Sequence, residues 1–112
     1  MKKLEIIIKP EKLEDLKEIL EQNKVKGLMI THIMGYGVQK GCVQKYRGNV
    51  VRTNLLPKIK VETIVGEDMA EKIITDVVRE IKTGNYGDGK VFISNVEDAI
   101  RIRTGKRGLE AL

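Results

Sequence analysis

A chain of 112 residues, 41% hydrophobic and 33% charged, holds one folded domain, and intrinsic disorder, which needs low hydrophobicity with strong net charge, is excluded. It has no tryptophan and one phenylalanine, so its core must be aliphatic, and so thin a core is often completed by association. No apolar run approaches the roughly 18 residues of a membrane span. The basic opening Met1-Lys2-Lys3 leads into too short an apolar stretch for a secretory signal, and a lone cysteine, Cys42, forbids an intrachain disulfide, so the cytoplasm is the expected compartment.

Residues 3–9 alternate as a strand, with Ile6 and Ile8 on one face. Pro10 suits a helix's first turn, and Leu13, Leu16, Ile19 and Leu20 follow at helical spacing to about Gln22, with Asn23 and Gly27 bracketing the exit. The first turns are acidic (Glu11, Glu14, Asp15), as the helix dipole favours. A second strand is expected over 28–34. From Gly35 to about Leu56 no period is sustained. A third strand over 58–65 sets Ile59, Val61, Thr63 and Val65 on one face and Lys58, Lys60, Glu62 and Ile64 on the other. A second helix over 68–82 aligns Met69, Ile73, Val77 and Ile81, with Ile74 and Val78 beside them, and Gly84 follows as its C′ residue. Residues 90–96 form a fourth strand, and 99–103 a short fifth.

That order is the α+β, ferredoxin-like split βαβ arrangement (βαββαβ), a four-stranded antiparallel sheet under two helices. The whole chain, 1–112, is one such domain. Its unusual element is the loop over about 36–56, where a hairpin of about two to five residues would suffice; a long aperiodic insert is functional or disordered. The charge is uneven in the same place. The formal net charge is +5, and residues 36–60 hold Lys40, Lys45, Arg47, Arg52, Lys58 and Lys60 with no acid. Arg101, Arg103, Lys106 and Arg107 form a second cationic patch. Two such patches point to anionic ligands: phosphates, carboxylate metabolites or nucleic acid.

Three segments can carry that chemistry. Thr83-Gly84-Asn85-Tyr86-Gly87-Asp88-Gly89-Lys90 joins the second helix to the fourth strand. Its glycines admit close backbone approach, and its amides can form an anion nest with Lys90 alongside, although an ordinary Asp-Gly turn reads the same way. Gly35-Tyr36-Gly37-Val38-Gln39-Lys40-Gly41 is neither a Walker loop nor a dinucleotide fingerprint; it is either a phosphate wrap or a hinge. Arg101-Ile102-Arg103 places two planar forks on one face of an extended segment, suited to a di- or triphosphate or equally to a solvated edge strand. No cluster has metal-site spacing, and no nucleophile–base set assembles around His32 or Cys42, so catalysis is not expected.

In this order the segments resemble the PII signal-transduction family over essentially the whole chain. The resemblance rests on Thr83 to Ile93, on Arg101-Ile102-Arg103-Thr104-Gly105, on Gln39-Lys40-Gly41, on Leu56-Pro57-Lys58 and on the ending Glu110-Ala111-Leu112. It implies a homotrimer with nucleotide sites between neighbours, where ATP and ADP compete. Gly35, Gly37, Val38, Gln39, Gly87, Asp88, Gly89 and Lys90 would hold the nucleotide, Glu62 and Ile64 would take the adenine, and Arg101 and Arg103 would reach the phosphates from the adjacent subunit. Gln39 would hold Mg²⁺ on ATP. 2-Oxoglutarate would chelate that metal and be gripped by Lys58 and the backbone of residues 37–41, with Gln39, Lys40 and Gly41 among them. The implied partners are ammonium transporters, glutamine synthetase or transcriptional regulators, with membranes met only through a transporter and no direct contact to nucleic acid.

The chain also departs from the family pattern. Val51 stands where many relatives carry the uridylylated tyrosine, and Asn49 stands at the phosphorylated serine of others. Neither modification is therefore expected, and regulation would be by ligand alone. Tyr46 remains nearby. Val38 replaces an arginine that touches the γ-phosphate in many relatives, which bears on the preference for ATP over ADP. The rival readings are a paralogue that senses only ATP and ADP or acts on nitrogenase or another enzyme, a basic nucleic-acid-binding module, and an ATP-using enzyme. The loop offers one aromatic beyond Tyr36, too few for a base-stacking platform.

Overall fold

The computed structural model describes residues 1–36 and 55–112 in full, together with the backbone of 43–46 and 49–52. The expectations for Gly37, Val38, Gln39, Lys40, Gly41 and Cys42, and for the side chains of Tyr46, Asn49 and Val51, lie outside the described residues. The elements are β1 (Lys2–Ile8), a 3₁₀ turn (Pro10–Lys12), α1 (Leu13–Gln22), β2 (Met29–Tyr36), β3 (Val43–Tyr46), β4 (Asn49–Arg52), β5 (Leu55–Val65), α2 (Glu67–Ile81), β6 (Lys90–Asn95) and a second 3₁₀ turn (Gly108–Ala111). Four strands form one antiparallel sheet in the order β2-β5-β1-β6. This is the expected ferredoxin-like arrangement.

The central pair sets the core. Alternation along β1 and β5 buries Leu4, Ile6, Ile8, Ile59, Val61 and Val65 against Leu16, Ile19 and Leu20 of α1 and Ala70, Ile73, Val77 and Ile81 of α2. Each buried valine, leucine or isoleucine contributes on the order of 1.5–3 kcal/mol of transfer free energy. Thr63, also on that face, is buried but satisfied, its hydroxyl donating to the Gly27 carbonyl at 2.7 Å.

Several boundaries differ from the expected ones, each for a local reason. Strands β2 and β5 run further into the loop, pairing Gly35 with Leu56 and Tyr36 with Leu55. Pro57 sits inside β5, opposite Met34. That is tolerable because the β1 pairing begins only at Ile59, so β5 has a neighbour on one side there. The stretch expected to lack structure contains a second two-stranded sheet, β3 paired with β4. Val78 is 54% exposed and does not join the buried stripe of α2, which Ala70 opens instead of Met69. Gly84 is not the C′ residue. Helix α2 ends at Ile81, Lys82 turns extended, and Gly84 adopts φ +86° further on. Residues 99–103 form no strand. A single bridge joins Ile100 to Arg107, and the Arg101 carbonyl accepts from the Gly105 amide at 2.7 Å in a tight turn.

The exit of α1 is bolted to α2 by polar atoms. Buried Asn23 donates through its amide nitrogen to the Ile19 carbonyl (2.8 Å) and to Asp76 (2.9 Å), and it accepts from Lys72 (2.7 Å). Asn23→Ala should cost about 1–3 kcal/mol, read as a lower urea midpoint at unchanged slope. The hydrogen bond from Asn23, then the hydrogen bond and charge of Lys72 and the charge of Arg79, hold the Asp76 carboxyl below its ordinary range. A depressed folded value gives stability that is complete above the unfolded pKa, about 3.9, and lost as pH falls through the folded one. Asp76→Asn should therefore narrow the stability gap to wild type as pH drops below about 4, in a pH series of thermal melts.

Candidate functional site

Two groups of the expected site residues come together, at different places on the chain. The first lies where the base of the loop meets the turn before β6. The turn is built around Asp88, whose carboxylate accepts from the Thr83 amide (2.8 Å), the Gly84 amide (2.9 Å) and the Thr83 hydroxyl. These bonds, the hydroxyl's first, hold the Asp88 carboxyl below its ordinary range, with Lys9 adding a favourable charge. Asp88 thus shapes the turn with its side chain. Thr83 is its anchor, a role that Thr83-Gly84 next to an aspartate signals only once the turn is seen closed.

Gly87 (φ +89°) and Gly89 (φ +108°) follow, both in the region that favours glycine. At Gly89 space decides as well. A Cβ there would stand 1.8 Å from the Ile7 carbonyl oxygen, because β6 starts flush against the end of β1. Across from the turn, half-buried Lys58 donates from Nζ to the Gly87 carbonyl at 2.9 Å. Its stem lies over Gly35, where a Cβ would be 2.9 Å from Lys58 Cγ. Gly35, Lys58, Gly87, Asp88 and Gly89 are therefore one cluster, with exposed Lys90 on the first residue of β6. An ammonium has three donors, so Lys58 keeps two beyond its bond to Gly87. The cluster presents a positive charge beside a glycine backbone, which suits an anion.

The second group surrounds a recess of about 420 Å³ lined by Met29, Glu62, Ile64, Met69, Leu109 and Leu112 among others. Glu62 and Ile64 stand on the sheet face that the helices leave uncovered. Glu62 lies 3.6 Å from Lys3 and 3.5 Å from Lys60. Arg101 reaches this region through the chain end. Its Nε donates to the Ala111 carbonyl (3.3 Å) and its Nη2 to the Leu112 carbonyl (2.7 Å). Arg103 is exposed on the turn. The two arginines do not share one face of an extended strand, as expected from the spacing, because residues 101–105 turn back on themselves. Among the described residues no group of histidine, cysteine and acids is placed to hold a metal. Nor, among them, is any helix long and apolar enough to cross a membrane.

A family model described as nitrogen regulatory protein P-II matches residues 1–106. The chain belongs to the P-II family. Proteins named nitrogen regulatory protein P-II from Bradyrhizobium diazoefficiens and Rhizobium meliloti are 47% and 46% identical over the full length of both chains. Nitrogen regulatory protein P-II 2 of Methanothermobacter thermautotrophicus is 42% identical over all of this chain and 97% of that protein. The names are those of regulatory proteins. P-II proteins act through other proteins.

Gly89→Ala should break the P-II turn and Gly84→Ala should not. Both have positive φ, but a Cβ at Gly84 would meet nothing within 4 Å, while one at Gly89 would meet the Ile7 oxygen. The expected cost is about 1–2 kcal/mol at Gly84 and well above that at Gly89, compared by thermal melts and by loss of amide protection at residues 83–90.

Proposed function

We propose that this P-II protein is a non-catalytic sensor that binds ATP or ADP, binds 2-oxoglutarate when Mg-ATP is present, and signals through the 36–56 segment to a partner. The partner is an ammonium transporter, glutamine synthetase or a transcriptional regulator, and the sensor works in the cytoplasm as a homotrimer. The observation that carries this reading is the bond from Lys58 to Gly87. It joins the loop base, with Gly35, to the glycine turn, so an anion arriving at one must be felt at the other.

In this reading Gly35, Gly37, Val38 and Gln39 and the turn Gly87-Asp88-Gly89-Lys90 hold the phosphates of a nucleotide. Glu62 and Ile64 take its base, and Arg101 and Arg103 come from a neighbouring copy. The two groups of site residues share no lining residue on one chain, which favours a cleft closed by a second copy. The uncovered sheet face mixes Ile7, Met29, Ile33, Ile64 and Phe92 with the ion pairs of Lys3, Glu5, Lys60 and Glu62. An apolar face crossed by paired charges supports burial against copies of itself. Gln39 would hold Mg²⁺ with the ATP phosphates. The α-keto acid would chelate the same ion, with Lys58, Lys40 and the Gly41 backbone matching its distal carboxylate. Each ligand would then strengthen the other.

Calorimetric titration with Mg-ATP, repeated with 2-oxoglutarate, tests this. ATP should bind alone and 2-oxoglutarate only with Mg-ATP. Binding of ATP without any response to 2-oxoglutarate would leave an adenylate sensor, and no nucleotide binding would end the proposal.

A further inference from the structure

Residues 108–112 are pinned at both ends. At the start, the Gly108 amide donates to the Ala99 carbonyl (3.0 Å) and to Asp98 (3.1 Å), while Arg107 Nε holds the other Asp98 oxygen at 2.8 Å. At the end stands the Arg101 fork on the Ala111 and Leu112 carbonyls. Between the pins a 3₁₀ turn closes, with the Leu112 amide donating to the Leu109 carbonyl at 3.2 Å. The turn brings Leu109 over Gly66, within 3.6 Å of where a Cβ would be, and sets Leu109 and Leu112 into the wall of the recess that carries Glu62 and Ile64. Leu109 remains 63% exposed and Leu112 half-buried, so the wall presents apolar surface that its own chain does not cover.

We infer that Leu109 and Leu112 are base-contacting residues of the nucleotide site, and that Arg101 is the positioning residue that clasps them there. The inference rests on the sensor reading above and goes beyond it, since it gives the chain end a place in the site. The occupant is the adenine ring, the flat apolar part of the ligand. The recess meets its faces with leucine, isoleucine and methionine and its amino edge with the Glu62 carboxylate, an acceptor. Arg101 can serve the clasp and a phosphate together. The carbonyls occupy Nε and one Nη2 donor, and a guanidinium has five.

The test compares Mg-ATP with magnesium tripolyphosphate, which carries the anion without a base. Leu109→Ala/Leu112→Ala should weaken ATP about tenfold and change tripolyphosphate by less than about twofold. Arg101→Lys keeps the charge but not the fork. It should speed amide exchange at residues 109–112 and weaken ATP by a larger factor than tripolyphosphate. The inference is overturned if the leucine variant binds ATP like wild type, or loses both ligands equally. It also falls if Arg101→Lys weakens both equally with exchange unchanged. Wild-type protein that binds tripolyphosphate as tightly as ATP would remove the base pocket and keep an anion site. Wild-type protein that binds neither would remove the sensor reading too.

Discussion

Strand β5 lies between β2 and β1, is paired with both from Ile59 to Glu62, and has a different duty on each face. Toward the helices it offers Ile59, Val61, Thr63 and Val65, all buried; toward the open side it offers Lys58, Lys60, Glu62 and Ile64. Side chains alternate strictly along a strand, so a register slip of one residue would move the core into water and the site residues into the core. Core burial therefore locks the site. The alternation along β5 that buries Ile59 opposite Ile8 also turns Lys58 to the open face, where pairing with β2 lays it over Gly35, and leaves Glu62 among lysines.

The backbone around the glycine turn is held with similar economy. Asp88 consumes its charge on Thr83 and Gly84, which leaves the local positive charge to Lys58 and Lys90. Gly89 lets β6 start against the Ile7 carbonyl, closer than any side chain permits. A turn so constrained needs little reorganisation on meeting an anion, which is how preorganised amides gain strength. The segment it touches through Lys58 leads directly into the long insert.

Much of this was legible in the residues. The two amphipathic helices and the alternation of β1 and β5 are set by hydrophobic spacing, and the glycine turn by its composition, because both signals are local. The missed or misread places share a different origin. Asn23 is the helix exit that the spacing indicates, but its second role as a buried junction between helices was not legible, since its partners Lys72 and Asp76 lie far along the chain. Arg101 and Arg103 read as a strand pair and proved part of a turn, because glycine and a single backbone bridge outweighed the alternating pattern.

The sequence by itself determined the family, the fold class, the core faces and the cationic character of the insert, since each follows from residue type and near-neighbour spacing. Only the tertiary structure decided that Lys58 reaches Gly87 and that Arg101 holds residues 111 and 112, with Leu109 and Leu112 facing the Glu62 recess. Contacts of that kind depend on where strand ends meet in space, and spacing along a chain carries no record of it.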